Sequence, residues 1–346
     1  MVPRWTRALR FTAALLAFIL ILCGLGLAAF VYESLPTGRI PAAGTLFGVE
    51  KGDVAQSLGA RLEREGLIRS VLVFRAMARL QGPKATFKIG TYRIEPRMDT
   101  RSIMAMMLSG RQALIRVTIP EGFTLSQTAG LLERLGVAPA SDFVAASHDP
   151  ALLADLGLPS SGAEGYLFPD TYFFPEAFGG AGAVRAMVAS FRQRLAAIPE
   201  ASALSAAELN DRIILASIVE REYKQPDEAP LIASVFYNRL RIRMALQSCA
   251  TVVYVLTERE GKPHPEVIYD RDLKIVDPYN SYLHRGLPPG PICSPGMTSL
   301  RAVFYPAKSN YLYFRLVDPE TGRHHFSTTL EEHIDARALF IKQVGS

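Results

Sequence analysis

The chain reads as an α+β protein carried behind one N-terminal membrane-spanning helix. Three observations predict this. Phe11 to Tyr32 is an uncharged apolar run, long enough to cross bilayer hydrocarbon, which takes about 20 apolar residues. An ungapped internal repeat follows it: Val49-Glu50-Lys51-Gly52 aligns with Ile119-Pro120-Glu121-Gly122, and Leu62-Glu63-Arg64-Glu65-Gly66 with Leu132-Glu133-Arg134-Leu135-Gly136. The remainder mixes long helical patterns with short alternating ones.

Arg4, Arg7 and Arg10 precede the apolar run and contribute three charges to a net charge of +5. The positive-inside rule puts them in the cytoplasm and the rest of the chain outside it. A cleaved signal peptide is the rival reading, but its apolar core would be shorter, and no clean small-x-small site follows. Leu20-Ile21-Leu22-Cys23 departs from a lipoprotein box because Leu22 stands where a small residue is wanted. Glu33 to Ala43, with Pro36, Gly38 and Pro41, reads as a stalk. Basic residues are not interleaved with aromatics in a stripe, so no nucleic-acid partner is expected.

Each repeat copy reads as a strand, a glycine turn and an amphipathic helix stopped by glycine. Between them Phe87 to Ile94 is a strand with a turn or bulge at Gly90, and Ser102 to Leu108 a short helix. Val184 to Ala197 is helical. Ser205 and Glu208 form a capping box for the next helix. On that helix Leu209, Ile213, Ala216 and Glu220 fall on one apolar stripe. Pro230 to Arg243 is a further helix. Tyr311 to Val317 and His324 to Ser327 read as paired strands, and Leu330 to Val344 as a closing helix.

Glu220 is the residue that points to chemistry. A carboxyl taken out of water resists ionisation, and a carboxyl that stays protonated at neutral pH is a proton donor. Glu222 lies on the wetter side, near Asp211, and stays open as the alternative. Glu164 and Asp170 sit among aromatics in EGYLFPDTY, a pattern suited to sugar faces or to a buried aromatic loop. Gln247, Ser248 and Thr251, then Asn280 and Tyr282, offer neutral hydrogen-bonding groups on loops beside the rigid Leu287 to Pro295 segment. His324, His325 and His333 lack H-E-x-x-H spacing and a cysteine cluster, so no metal is expected. Neither a P-loop, a dinucleotide fingerprint nor a G-x-S-x-G elbow is present, and no cofactor is expected.

ASIVEREY at Ala216 to Tyr223, LQSCATVVY at Leu246 to Tyr254, YNSY at Tyr279 to Tyr282, GLPPGPICSPG at Gly286 to Gly296, and YLYF followed by HHFSTTLEEH together resemble the endolytic murein transglycosylase family (MltG, YceG-like). The likeness covers nearly everything after the stalk. It implies a cytoplasmic tail (1–10), an anchor (11–32), a stalk (33–43), a LysM-like subdomain (44–155) and a catalytic transglycosylase domain (156–346). It also implies internal cleavage of nascent peptidoglycan strands between N-acetylmuramic acid and N-acetylglucosamine, leaving 1,6-anhydro ends. Under it Glu220 is catalytic, with Gln247, Ser248, Thr251, Tyr254, Asn280, Tyr282, Glu164 and Asp170 binding substrate. Work at the bacterial inner membrane, beside peptidoglycan synthases, is implied as well.

The chain departs from the family pattern at Cys249-Ala250, where an aspartate and a proline are usual, and at Cys293, where a small residue is usual. A Cys249–Cys293 disulfide tying two loops together is the expectation this raises. Two other readings stay open. One is a hydrolase of the same bond, using Glu164 or Asp170 with a water. The other is a wall-binding scaffold without activity.

Overall fold

The computed structural model describes residues 4–82, 86–318 and 320–336, with side chains from Ala14 onward. Helix α1, Arg4–Ser34, contains the span Ala14–Ser34, whose mean hydropathy is 2.8 and whose surface is unburied. It is long and apolar enough to cross a membrane.

The chain divides into two compact units, Met1–Leu114 and Ile115–Ser346. In the first, β1 (Thr45–Val49), α2 (Ala55–Arg64), α3 (Val71–Leu80), β2 (Gly90–Ile94) and α4 (Thr100–Ser109) follow in order. β1 and β2 pair antiparallel, with Phe47 opposite Tyr92 and Val49 opposite Gly90. The strand expected from Phe87 starts only at Gly90, whose φ is +147°. Phe47, Val49, Leu58, Leu62, Phe74, Tyr92, Ile94 and Met107 form the core.

The second repeat copy has the same order: β3 (Leu114–Thr118), α5 (Leu125–Arg134), α6 (Ala140–Ser147), an added turn of helix α7 (Pro150–Asp155), β4 (Thr171–Pro175) and α8 (Gly180–Leu195). β3 pairs with β4. Core positions correspond between copies: Phe47 with Val117, Val49 with Ile119, Leu62 with Leu132 and Leu67 with Val137, all buried. Both first helices end as read, with Gly66 at φ +71° and Gly136 at φ +75°.

The division between the units falls at residue 114, not at the expected 155. The reason is strand pairing and packing. β3 needs β4, and Phe143 and Val184 share one apolar cluster with Val117 and Leu132. The second copy therefore belongs with the C-terminal half.

There α9 (Ala206–Glu222) is the central helix. Its Ser205–Glu208 capping box is present. The expected stripe is replaced by burial all round, from Ile213 to Val219. A helix apolar on every face lies inside a core, here among α10 (Ala229–Arg241), α11 (Cys249–Tyr254) and α12 (Met297–Phe304). A wider π-type turn, Val255–Arg259, follows α11. β5 (Tyr313–Asp318) and β6 (Arg323–Ser327) form an antiparallel hairpin with an irregularity between Leu316 and Asp318. α13 (Leu330–Asp335) follows; the rest of the expected closing helix lies outside the described residues.

The hairpin is tied to the helices by polar groups. Buried Arg239 donates to the carbonyls of Leu312 and Leu246, each at 2.6 Å, and lies over the Tyr313 ring. Buried Glu228 takes the His324 backbone N–H and faces its Nδ1 at 2.7 Å. Ile218→Ala, at a fully buried position in α9, is expected to destabilise the second unit by about 3 kcal/mol in chemical denaturation.

Candidate active site

The site is assembled where the loop Ile292–Gly296 passes over the C-terminal half of α9. Three ties hold it. The Ile292 N–H donates to Ser217 Oγ at 3.0 Å, the Cys293 thiol donates to the Ser217 carbonyl at 3.2 Å, and the Gly296 N–H donates to Glu220 Oε2 at 2.9 Å. Ser217 and Glu220 are three residues apart on one helix face. The Ser299 hydroxyl also donates to Glu220 Oε2, and the Tyr223 hydroxyl to Oε1 at 3.3 Å.

Gly296 caps the N-terminus of α12, so the Glu220 carboxylate stands where backbone N–H groups and the helix dipole favour an anion. Burial opposes that. It raises the Glu220 pKa above the ordinary carboxylate value; the donors from Ser299 and Gly296 pull it back, and the charge of Glu121 pushes it up again. The net direction is upward.

Glu121 was visible in the sequence only as part of the repeat. The structure brings it to this site. Its turn is bonded to the same loop, Gly122 N–H to the Ser294 carbonyl at 3.0 Å and Ser294 N–H to the Phe123 carbonyl at 2.8 Å. Arg221 donates to the Gly122 carbonyl at 3.2 Å. An added Cβ at Gly296 would sit 1.9 Å from Glu121 Oε1, so a side chain there would displace the exposed end of Glu121. One signal could have flagged it: the repeat copies differ in sign here, Lys51 against Glu121.

Glu222 is not on a wet side of α9. Its carboxylate accepts from the Ser248 hydroxyl, and burial raises its pKa while Ser248, Arg239 and Arg221 lower it. Ser248, Thr251 and Asn280 are buried and engaged within the protein. Ser248 N–H donates to Ser281 Oγ at 3.0 Å, Thr251 Oγ1 donates to the Ser248 carbonyl at 2.8 Å, and Asn280 Nδ2 donates to the Leu273 and Ile275 carbonyls. These three shape the loops and offer a ligand little. Gln247 differs: it is exposed and held at φ +50°, a conformation uncommon outside glycine and worth noting beside a site.

The expected disulfide is absent. Cys249 and Cys293 are both free. The Cys293 thiol is buried and turned to Ser217, whereas Cys249 is exposed with its sulfur 3.0 Å from the Tyr282 hydroxyl. The loop clamp that the disulfide was to supply comes from Ser217 and Glu220 instead.

Glu164 lines a separate cavity of about 320 Å³ with Tyr254, Tyr279, Glu258 and Pro291. The Tyr254 and Tyr279 rings lie 5.0 Å apart. Glu164 Oε2 accepts the Leu125 N–H at 2.9 Å, while Oε1 is buried without a partner. Burial, opposed by the Leu125 N–H and helped by nearby Glu258, lifts its pKa from 4.5 to about 8. Asp170 is unlike it. Burial pushes its pKa up, but Arg194 at 2.7 Å and the Thr171 N–H outweigh that and hold it low. Asp170 is an ion-paired surface acid, unsuited to giving or taking a proton near neutrality. The histidines have structural neighbours: His324 lies against Glu228 and Phe314, His333 against Tyr313.

The YceG-like family profile matches residues 47–338, which takes in the repeat, α9 and the 292–296 loop. The chain belongs to the YceG-like family. It is 30% identical to an endolytic murein transglycosylase of Streptococcus pneumoniae D39, over 93% of this chain and 64% of the relative. The chain thus spans about 64% of that relative's length. It is 29% identical to an endolytic murein transglycosylase of Bacillus subtilis 168, over 85% of this chain and 84% of the relative. A crystal structure of a yceG-like protein of Listeria monocytogenes covers 85% of this chain and 99% of its own, with a TM-score of 0.57 and 30% identity.

A carboxyl whose folded pKa lies above its unfolded one stabilises the fold most below the unfolded value. For Glu164 that contribution is lost as pH rises from 4.5 towards 8. The melting temperature is therefore expected to fall across this window, and Glu164→Gln to flatten the fall.

Proposed function

We propose that this protein is a membrane-anchored lytic transglycosylase that cuts peptidoglycan strands internally and leaves 1,6-anhydromuramic ends. The observation that carries the reading is Glu220: a carboxyl whose pKa burial raises, fixed by three donors, in a chain of the YceG-like family. Two relatives named endolytic murein transglycosylase support it.

In this mechanism Glu220 gives its proton to the glycosidic oxygen as the bond from the muramic anomeric carbon to that oxygen breaks. Positive charge develops at the anomeric carbon. The muramic C6 hydroxyl attacks that carbon and loses its proton to the Glu220 carboxylate. The enzyme returns to its starting state and no water is consumed. The Gly296, Ser299 and Tyr223 donors keep the carboxylate in place during the interval in which it is charged. Gln247, Tyr254 and Tyr282 are the proposed sugar contacts; Ser248, Thr251 and Asn280 set the loops that carry them.

The first unit is proposed as a LysM-like glycan-binding module. Support comes from its strand–helix–helix–strand order and from a groove of about 790 Å³ lined by Glu50, Asp53, Val54, Phe87 and Ile89. The span in α1 is proposed to anchor the chain in the inner membrane with its N-terminus in the cytoplasm, near synthases that make new strands.

A hydrolase of the same bond is the second reading, now favoured by Glu121 rather than Glu164 or Asp170, because Glu121 is an exposed acid facing Glu220. Mass spectrometry of digested glycan strands separates the two: a hydrolysed end carries one extra water and is reducible. Glu220→Gln is expected to lower strand cleavage by about a hundredfold or more with binding retained. Unchanged cleavage in this variant excludes Glu220 as the acid, and a wild type that binds strands without cutting them favours a scaffold.

A further inference from the structure

We infer that Glu121, on the turn of the second repeat copy, is a positioning residue for Glu220: its carboxyl stands across Gly296 from the Glu220 carboxyl and acts through charge on that group's proton. The inference deepens the role proposed for Glu220, but it rests on geometry that stands without any activity.

Gly296 is flanked by both acids. Its N–H donates to Glu220 Oε2 at 2.9 Å, and the place of its missing Cβ lies 1.9 Å from Glu121 Oε1. Standard backbone dimensions then put the nearest oxygens of the two carboxyls within about 7 Å of each other. Glu121 cannot simply drift off with its backbone. The turn is bonded to Ser294 on one side and to Arg221 on the other. A like charge at that range disfavours ionisation of its neighbour.

The other groups around Glu220 do not supply this effect. Ser299 and Gly296 of α12, and Tyr223 at the end of α9, donate to the carboxylate and so favour its charged form. Arg221, next to it on α9, is turned to the Gly122 carbonyl. Cys293 of the loop is a buried thiol whose own pKa is pushed well up by burial, so it stays neutral. Burial is the largest influence against the charged form, and Glu121 is the charged group that adds to it. In the first repeat copy the same turn position holds Lys51, which would draw the proton off an acid placed there.

The test is a direct titration of the Glu220 side-chain carboxyl by carbon NMR, with ¹³C-labelled glutamate in the full-length protein in detergent micelles. Glu220→Gln assigns the signal. In Glu121→Gln the midpoint is expected to fall by about half to one pH unit, a three- to tenfold change in the acid constant. Glu121→Asp, which keeps the charge, is expected to stay within a third of a unit of wild type. Glu331→Gln, an exposed acid on α13, controls for net charge and should leave the midpoint alone. A Glu220 midpoint unmoved in Glu121→Gln, or moved equally in Glu331→Gln, overturns the inference. In a strand-cleavage assay the alkaline limb of the pH profile should shift with the midpoint. A wild type that leaves strands intact removes the proposed activity while the titration still decides the role of Glu121.

Discussion

The hydrogen bond from Gly296 to Glu220 is the contact on which the rest of the second unit's site depends. It fixes the acid, begins α12 and closes the loop Ile292–Gly296 onto α9. The same loop takes the Glu121 turn on its other side. Three segments remote from one another in sequence therefore meet at one small residue. A side chain there would have to push the exposed end of Glu121 aside.

Three half-buried glutamates of this unit show how similar pKa directions serve different ends. Glu222 is enclosed by Ser248 and two arginines and holds α11 to α9. Glu164 receives the first N–H of α5 and leaves one oxygen unmatched, which favours its neutral form. Glu220 alone combines burial, a ring of donors and an exposed acid beside it. Burial by itself would not have separated these three. Their hydrogen-bond partners do.

The helices around the site were legible because they follow from local chemistry. The Ser205–Glu208 box, the stop at Gly136 and the hairpin of β5 and β6 each depend on residues close in sequence. The half-buried place of Glu220 was legible from its position in an apolar run. What was not legible required tertiary contacts. The division at residue 114 depends on β3 finding β4 across α5, α6 and α7. The engagement of Ser248, Thr251 and Asn280 depends on Ser281 and carbonyls of another loop. The two cysteines looked like a pair because both depart from the family pattern, but each side chain is already committed to a different neighbour. Glu121 was hidden for the same reason, since nothing near it in sequence announces Gly296.

The two copies of the repeat carry a lesson about how a duplicated frame acquires an occupation. Several apolar core positions correspond between them, Phe47 with Val117 and Leu62 with Leu132 among them, while the tips of their first turns lie on the surface. One tip holds a cation and the other an anion. Such a tip is cheap ground for invention: a substitution there leaves the scaffold's stability alone, yet alters whatever surface the turn happens to abut. The second copy's turn abuts an acid, so there the sign of the tip residue bears on a neighbouring carboxyl.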